Sequence, residues 1–195
     1  SSSVYGSNEE LPKNEKMWTS PMTPYAASKL AGEGYVEAYQ SSYGVPVSAF
    51  RFFNVFGPWQ RPDHDYAAVI PKWIWKAMNK ESIEVFGDGN QTRSFCYVDD
   101  LVEAITKFST QKGLTGPINI GNPGEFTIGE LGSIIVDMVG NGKVVHKDAV
   151  SDDPKQRKPD ISLIKEKINW EPKIDLETGL KNTIIYFENI LRSNK

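Results

Sequence analysis

The sequence predicts an α/β fold built on a parallel β-sheet. Residues 23–43 have the periodicity of a helix, and the apolar segment 45–57 after it is typical of a buried strand. Residues 1–6 look like the end of an earlier strand. A strand, a helix and a second strand in this order form a β-α-β unit, which implies parallel strands.

The helix at 23–43 carries a tyrosine and a lysine close to its start. Thr23 is a good N-cap, Pro24 suits the first helical position, and Gly44 is a candidate C-cap. Tyr25 and Lys29 are four residues apart and therefore lie on one face of the helix. A phenol beside an ammonium is either ordinary surface packing or a group prepared to exchange a proton.

The remaining elements are shorter and more mixed. Thr127 and Glu130 form the sequence pattern of a capping box, and Pro71 falls near the first turn of another helix. Two short strands are expected on either side of the turn at 87–89, and a charged loop at 151–160 precedes two short helices. The sequence therefore predicts helices at 67–80, 99–110 and 127–140 and a short strand at 117–123.

Composition excludes several functional classes. The chain has 195 residues, 39% of them hydrophobic, and a net charge of −3, so it lacks the positive charge typical of nucleic-acid or anionic-membrane binding. It has no apolar run as long as a membrane span and no signal-peptide pattern, and we expect a soluble cytoplasmic protein.

The cysteine and histidines give no sign of metal chemistry. Cys96 is the single cysteine, and we expect a buried, unreactive thiol in a reducing compartment. His64 and His146 are far apart in sequence, and neither has the Cys/His spacing of a zinc site. No metal is therefore expected.

Eight sequence blocks occur in an order that is specific for one family. They are SSSVYG, TPYAASK, FRFFNVFGP, YAAVIPKW, VFGDGNQTRSFCYVDDLVEAI, NIGNP, DDPKQRKPDIS and INWEPKIDLETGL. Together they resemble the extended short-chain dehydrogenase/reductase family, and within it the NAD-dependent nucleotide-sugar epimerases and dehydratases. The resemblance covers residues 1 to about 191.

The resemblance implies a Rossmann-type sheet with a smaller mixed α/β substrate domain. Members of this family begin with a glycine-rich phosphate turn, but none of the 16 glycines here falls in that pattern. We therefore expect this chain to be the C-terminal part of a longer protein, without the glycine-rich half. Residues 1–57, with 97–122, would belong to the NAD-binding domain, and residues 58–96 and 123–195 to the nucleotide-sugar-binding domain.

The resemblance also implies roles around the cofactor. Tyr25 would be the general base and acid toward a sugar hydroxyl, and Lys29 would hold the nicotinamide ribose and make the phenol more acidic. Ser1, three residues before Val4, would share the moving proton through its hydroxyl group. Phe52 would contact NAD.

Four further residues are implied to bind the phosphates of the substrate. Asn54 would contact the diphosphate, although an asparagine at a strand end is also a common turn residue. Arg93 would bind the nucleotide through its guanidinium group. In the basic block, Lys155 aligns with an arginine of many relatives, so Lys155 acts as a point charge, or Arg157 makes the contact, or the loop is merely solvated.

Three apolar residues are implied to form the uridine-binding wall, and a plain core role is equally compatible with each of them. These are Val69, Pro71 and Val85.

The reaction predicted from the resemblance is 4-epimerisation of a UDP-sugar. Relatives that dehydrate or decarboxylate the sugar usually have a carboxylate immediately before the V-Y-G motif, and this chain has Ser3 there. Epimerisation through a 4-keto sugar needs one tyrosine and NAD, without that extra acid. We expect UDP-glucose/galactose or UDP-GlcNAc/GalNAc as substrate, and a homodimer formed through the Tyr25 helix.

Two other functions remain open from the sequence. The block at 152–162 is similar to UDP-glucuronate decarboxylases, so decarboxylation, or 4,6-dehydration, is an alternative. A chain without the glycine-rich half is also compatible with a non-catalytic binding or assembly fragment, which would expose a sheet edge.

Overall fold

The computed structural model describes residues 1–63, 68–111, 113–149 and 156–193, and it has the mixed α/β architecture that the sequence predicts. The helices are α1 Pro24–Tyr43, α2 Val69–Met78, α3 Val98–Ser109, α4 Ile128–Val139, α5 Ser162–Ile168 and α6 Leu176–Ser193. The strands are β1 Phe50–Phe52, β2 Val55–Phe56, β3 Ser82–Phe86, β4 Thr92–Arg93, β5 Cys96–Tyr97, β6 Ile118–Ile120, β7 Phe126–Thr127 and β8 Lys143–Lys147.

Parallel pairing dominates among the described strands. β1 pairs with β6, β2 with β5, and β3 with β8, all in parallel, whereas β4 pairs with β7 in antiparallel orientation. Because β1 and β2 follow one another, their carboxyl ends lie on the same side as those of β5 and β6. That edge is where α/β proteins place their ligands.

The first residues form a 3₁₀-helix at Ser2–Tyr5, so the prediction of a strand end there is wrong. The Ser1 hydroxyl accepts a hydrogen bond from the backbone N–H of Ser3, and Gly6 ends the turn with φ of 50°. Local serine capping therefore overrides the β-branched and aromatic character of Val4 and Tyr5.

The predicted strand at 45–57 is divided into β1 and β2 rather than continuous. The break is at Asn54, whose φ of 36° lies in the left-handed region that asparagine tolerates better than most residues. Its backbone carbonyl still accepts a hydrogen bond from the Cys96 N–H at 3.2 Å, so the chain keeps its place beside β5.

The predicted helix boundaries are confirmed where a capping side chain sets them. The Thr23 hydroxyl accepts from the Ala26 N–H, and Gly44 ends α1 in the left-handed conformation. The capping box of Thr127 and Glu130 is present at the start of α4, with both of its reciprocal hydrogen bonds.

The C-terminal part differs from the prediction in two elements. α6 has 18 residues, so it is not a short helix, and β8 was not predicted. The segment around Gly87 and Gly89 carries three strands, β3, β4 and β5, and each pairs with a different partner outside it. These pairings are tertiary, so local sequence patterns do not specify them.

Two of the three hydrophobic clusters among the described residues surround the sheet pairs. The larger one lies between α2, α4 and α6 and includes Trp73, Ile83 and Leu131. The second lies between α3, α5 and β6 and includes Phe108 and Trp170. Within the described residues, no helix is both long enough and apolar enough to cross a bilayer.

Candidate active site

A cleft of about 570 Å³ lies where α1, the 3₁₀-helix and the end of β1 meet. It combines hydroxyl, phenol, amide and cationic groups with an apolar wall. Its lining residues are Ser1, Ser2, Ser3, Tyr25, Lys29, Phe50, Phe52, Asn54, Val55, Ala68 and Arg157. The cleft therefore collects residues that are distant in sequence, from the first residue to the basic block.

α1 brings Tyr25 and Lys29 to the cleft on one face of its first two turns, as the i, i+4 spacing predicts. The Nζ atom of Lys29 is 5.3 Å from the centre of the Tyr25 ring. The Tyr25 side chain is 59% exposed, so its phenol is accessible to a ligand in the cleft. The two groups are thus neighbours at an accessible surface.

Ser1 and Ser3 lie together at the cleft, at the start of the 3₁₀-helix. Their Oγ atoms are 2.9 Å apart, which is a hydrogen bond. The backbone nitrogen of Ser1 donates to the Phe50 carbonyl oxygen at 3.2 Å, which fixes this turn against β1. The position before Val4 therefore faces the cleft, and it carries a hydroxyl in place of a carboxylate.

Asn54 reaches the cleft from the break between β1 and β2. Its Nδ2 atom donates to the Ser94 carbonyl oxygen at 2.8 Å, which bridges to the segment before β5. Asn54 thus ends β1 with a left-handed backbone conformation, and it also lines the cleft with its side-chain amide.

Arg157 lines the cleft from the segment that leads to α5. This segment is fixed by backbone hydrogen bonds of 2.8 Å, from the Lys13 N–H to the Lys158 carbonyl and from the Asp160 N–H to the Lys13 carbonyl. The ammonium of Lys13 is buried and donates to the Asn8 carbonyl oxygen. Burial lowers the pKa of Lys13, and the charge of Arg157 lowers it further.

Four predicted substrate residues do not line this cleft. Val85 is fully buried in the larger hydrophobic cluster and Pro71 is also buried, while Val69 packs against that cluster. Arg93, in β4, is half-buried and donates to the Thr92 carbonyl oxygen at 2.7 Å. Val85 and Pro71 thus pack in the core and Val69 packs against it, and their role in a uridine-binding wall stays a prediction. Lys155 and His64 lie outside the described residues.

Sequence reasoning missed several residues at or beside the cleft. Phe50 could have been found from strand alternation, because it shares a face with Phe52. Arg51 points to the other face, where its guanidinium forms a buried ion pair with Glu33 of α1. A lone arginine within an apolar strand was the available signal, but its partner could not be read from the sequence.

Comparison with known proteins agrees with this architecture. A sequence model described as the NAD dependent epimerase/dehydratase family matches residues 1–121. The chain belongs to this family. The chain spans about half the length of the curated family members it matches: it is 39% identical over 194 residues to UDP-glucuronic acid decarboxylase 1 of Arabidopsis thaliana, covering 96% of this chain and 44% of that protein.

Solved structures of the family superimpose closely on this chain. UDP-N-acetylglucosamine 4-epimerase from Methanobrevibacter ruminantium M1, in complex with UDP-N-acetylmuramic acid, gives a TM-score of 0.91 at 37% identity, with 97% of this chain and 61% of that one covered. UDP-glucuronic acid 4-epimerase from Bacillus cereus, in complex with UDP-glucuronic acid and NAD, gives 0.85 at 29% identity, with 96% and 59% covered.

Proposed function

We propose that this protein interconverts the C4 epimers of a UDP-sugar with NAD as its cofactor. The substrates are UDP-glucose and UDP-galactose, or their N-acetylated counterparts. The proposal depends on the groups that face the cleft: the phenol of Tyr25, the ammonium of Lys29 and the hydroxyls of Ser1 and Ser3. None of the described lining residues is a carboxylate. This set can move one proton on and off a sugar hydroxyl, and it offers no second base.

The cleft suits NAD chemically. Tyr25 and Lys29 present hydrogen-bond donors for ribose hydroxyls, and Phe52 presents an apolar ring. No described lining side chain carries a negative charge that would repel the diphosphate of the cofactor. When bound, NAD supplies hydride transfer, from C4 of the sugar and back to its other face.

The proton is moved by the side chains of this chain. Tyr25 takes the proton of the sugar 4-hydroxyl as the carbon becomes a ketone, and it returns a proton when the ketone is reduced. Lys29 places a positive charge beside the phenol that exchanges the proton, where it can offset negative charge that develops during the transfer. The Ser1 hydroxyl both donates and accepts, so it can share this proton.

Two residues suit the diphosphate of the substrate. Arg157 brings a guanidinium group to the cleft, and guanidinium can bind phosphate oxygens through two parallel hydrogen bonds. The Asn54 amide lies at the sheet edge where phosphate groups bind in α/β proteins. Arg157 and Asn54 belong to segments other than α1, which carries Tyr25. A nucleotide-sugar would bridge these segments, with its diphosphate at Arg157 and Asn54 and its sugar at Tyr25.

Decarboxylation of UDP-glucuronate is the second candidate, because of the 39% identity to a plant UDP-glucuronic acid decarboxylase. We rank it lower, because the position before Val4 carries the Ser3 hydroxyl. A carboxylate at this position would be the base for a further proton abstraction.

The test is to incubate the full-length gene product and NAD separately with UDP-glucose, UDP-GlcNAc and UDP-glucuronate labelled in its carboxyl group. We expect the C4 epimer of one of the first two by anion-exchange chromatography. Release of labelled CO₂ would instead identify a decarboxylase. Failure to turn over any of the three, with no thermal shift in the presence of NAD, would favour a non-catalytic binding or assembly role.

A matched pair of variants tests the role of Tyr25. Tyr25→Phe should lower kcat by at least about a hundredfold, because the proton acceptor is lost. Tyr35→Phe is the control, since Tyr35 is on the same helix, 70% exposed, and does not line the cleft. Equal activity of the two variants would exclude the proposed acid–base role.

We also propose that the full-length protein is a homodimer formed through α1. Besides Tyr25, this helix exposes three tyrosines, Tyr35, Tyr39 and Tyr43, each at least 55% accessible, and exposed aromatic surface is typical of interfaces. Light scattering of the full-length protein should give twice the monomer mass, and a monomer would contradict this part of the proposal.

A further inference from the structure

α1 carries the reacting phenol but has few anchors to the rest of the structure. Of its 20 residues only Ala26 and Glu33 are buried. Ala26 is a small apolar contact, whereas Glu33 is a charged side chain with 8% exposure. Glu33 is therefore the one charged side chain that α1 buries against the rest of the structure.

Arg51 of β1 holds Glu33 by a bidentate ion pair. Its Nε and Nη2 atoms donate to the two carboxylate oxygens of Glu33 at 3.0 and 2.5 Å. Its Nη1 atom donates to the Glu15 carbonyl at 3.3 Å, and its Cζ atom lies 4.8 Å from the centre of the Tyr5 ring. The guanidinium is 4% exposed and has partners on every side, so its position is fixed.

The charge of this pair is maintained in spite of burial. Burial acts to lower the pKa of Arg51, but the hydrogen bonds with Glu33 and Tyr5 outweigh it and raise that pKa. Both carboxylate oxygens of Glu33 are occupied by the guanidinium. A second cation nearby therefore finds no strong acceptor on Glu33 while Arg51 is in place.

Lys29 is such a cation, because it lies one helical turn before Glu33. At this i, i+4 spacing a lysine and a glutamate attract each other. Yet the Nζ atom of Lys29 is directed over the Tyr25 ring, and the ion pairs of the described residues include none between Lys29 and Glu33. Among the described residues, Arg51 is the cation that forms an ion pair with the Glu33 carboxylate.

We propose that Arg51 is a positioning residue for the reaction: by occupying both oxygens of Glu33, it keeps Lys29 beside the phenol of Tyr25. The inference rests on the proposed function, since it concerns the acid–base role of Tyr25. The charged and titratable groups around Lys29 belong to α1, to the 3₁₀-helix, to β1 and to the basic segment. They are Tyr25, Glu33, Tyr5, Arg51 and Arg157.

The experiment compares Arg51→Met with the double variant Glu33→Gln/Arg51→Met in the full-length protein, by the pH profile of kcat for epimerisation. In Arg51→Met the carboxylate of Glu33 is unoccupied and draws Lys29 away. The acidic limb of the profile should therefore move up by about one pH unit, and kcat at pH 7 should fall about tenfold. KM should stay within about twofold, since no phosphate contact changes.

The double variant distinguishes this effect from general damage. It lacks the carboxylate that would capture Lys29, so the acidic limb should return to the wild-type position although Arg51 is still missing. Identical profiles for the single and double variants, or a wild-type profile for Arg51→Met, would overturn the proposal.

Two further variants keep the test decisive if Arg51→Met does not fold. Arg51→Lys retains the charge but cannot form the bidentate contact, so it should give a smaller shift in the same direction. Glu33→Gln alone should leave the acidic limb at its wild-type position. A shift of the limb in Glu33→Gln, or no shift in Arg51→Lys, would overturn the inference. Activity that survives in Tyr25→Phe would instead refute the proposed function itself.

Discussion

Gly179 in α6 offers a stringent test of the packing beneath the cleft. A Cβ atom at this position would lie 2.6 Å from Cζ and 2.9 Å from Cε2 of Phe56, and 2.9 Å from Cδ2 of Tyr97. Both rings are almost completely buried and belong to the paired strands β2 and β5. Gly179→Ala must therefore displace a ring next to Val55, which lines the cleft.

The expected loss follows from two opposing effects. Alanine is favoured over glycine in a helix by about 1 kcal/mol. Overpacking of a close-packed core costs about 1–3 kcal/mol, and contacts below 3 Å with two buried rings place Gly179→Ala at the upper end. The net loss in the free energy of unfolding is about 2 kcal/mol, which lowers Tm by about 4–8 °C in a domain of this size.

Gly34→Ala is the matched control, assayed with it by calorimetry and by urea unfolding. Gly34 is also helical, and a Cβ atom there would meet nothing within 4 Å. This variant should therefore gain about 0.5–1 kcal/mol from helix propensity alone. If Gly179→Ala were as stable as Gly34→Ala, the close approach of α6 to Phe56 would be refuted.

Three other predictions concern single side chains. Burial raises the pKa of the Cys96 thiol to about 12, so Ellman's reagent at pH 8 should label it only after unfolding, and rapid labelling of the native protein would contradict this. Burial also raises the pKa of Glu15, so the folded protein favours the protonated carboxyl group. The contribution of this group to the free energy of unfolding is therefore fully present below the pKa that it has in the unfolded state, and it is lost as pH rises through the pKa that it has in the folded state. Urea unfolding at a series of pH values should show this loss of stability in the wild type relative to Glu15→Gln. The same dependence of the unfolding free energy on pH in both proteins would contradict the prediction. Asn54→Gly should lower the free energy of unfolding by about 1 kcal/mol, because the hydrogen bond to the Ser94 carbonyl oxygen is lost. Asn54→Ala should lower it by about 1 kcal/mol more, because alanine tolerates the positive φ at this position less well than glycine does. A glycine variant less stable than the alanine variant would be inconsistent with this backbone conformation.

The sequence predicts those parts of the fold that are decided locally. The helix starts at Thr23 and Thr127 each depend on one side chain and a backbone N–H three residues later, so a few neighbouring residues are enough to predict them. The end of α1 at Gly44 is equally local, because it requires the left-handed conformation that glycine adopts at low cost.

Elements decided by distant partners were predicted poorly. β8 exists because it pairs with β3, about 60 residues earlier in the chain, and the letters Lys143–Lys147 alone do not indicate this. The 3₁₀-helix at Ser2–Tyr5 was mistaken for a strand, because the serine hydroxyl that caps it competes with the β propensity of the residues after it.

The cleft was predicted in part for the same physical reason. Tyr25 and Lys29 share a face through helix periodicity, which the sequence determines directly. Arg157 is more than 120 residues away in the chain and was one of three alternatives, since only the tertiary structure brings the basic segment to α1. The partner of Arg51 could not be predicted, because strand alternation gives the face of a side chain but not what lies against it.

A buried polar network connects the structures that border the cleft. Asn119 of β6 accepts a hydrogen bond from the Tyr5 hydroxyl at 2.8 Å and donates to the Lys13 carbonyl at 2.8 Å and to the Asp160 carbonyl at 3.2 Å. Tyr5 in turn stacks beneath Arg51. One amide therefore ties the anchor of α1 to the segment that carries the basic group of the cleft. Because buried polar groups are costly when unpaired, this network stabilises one relative placement of those two segments over alternatives. Tyr25 and Arg157 are thus held in register by residues that do not themselves line the cleft.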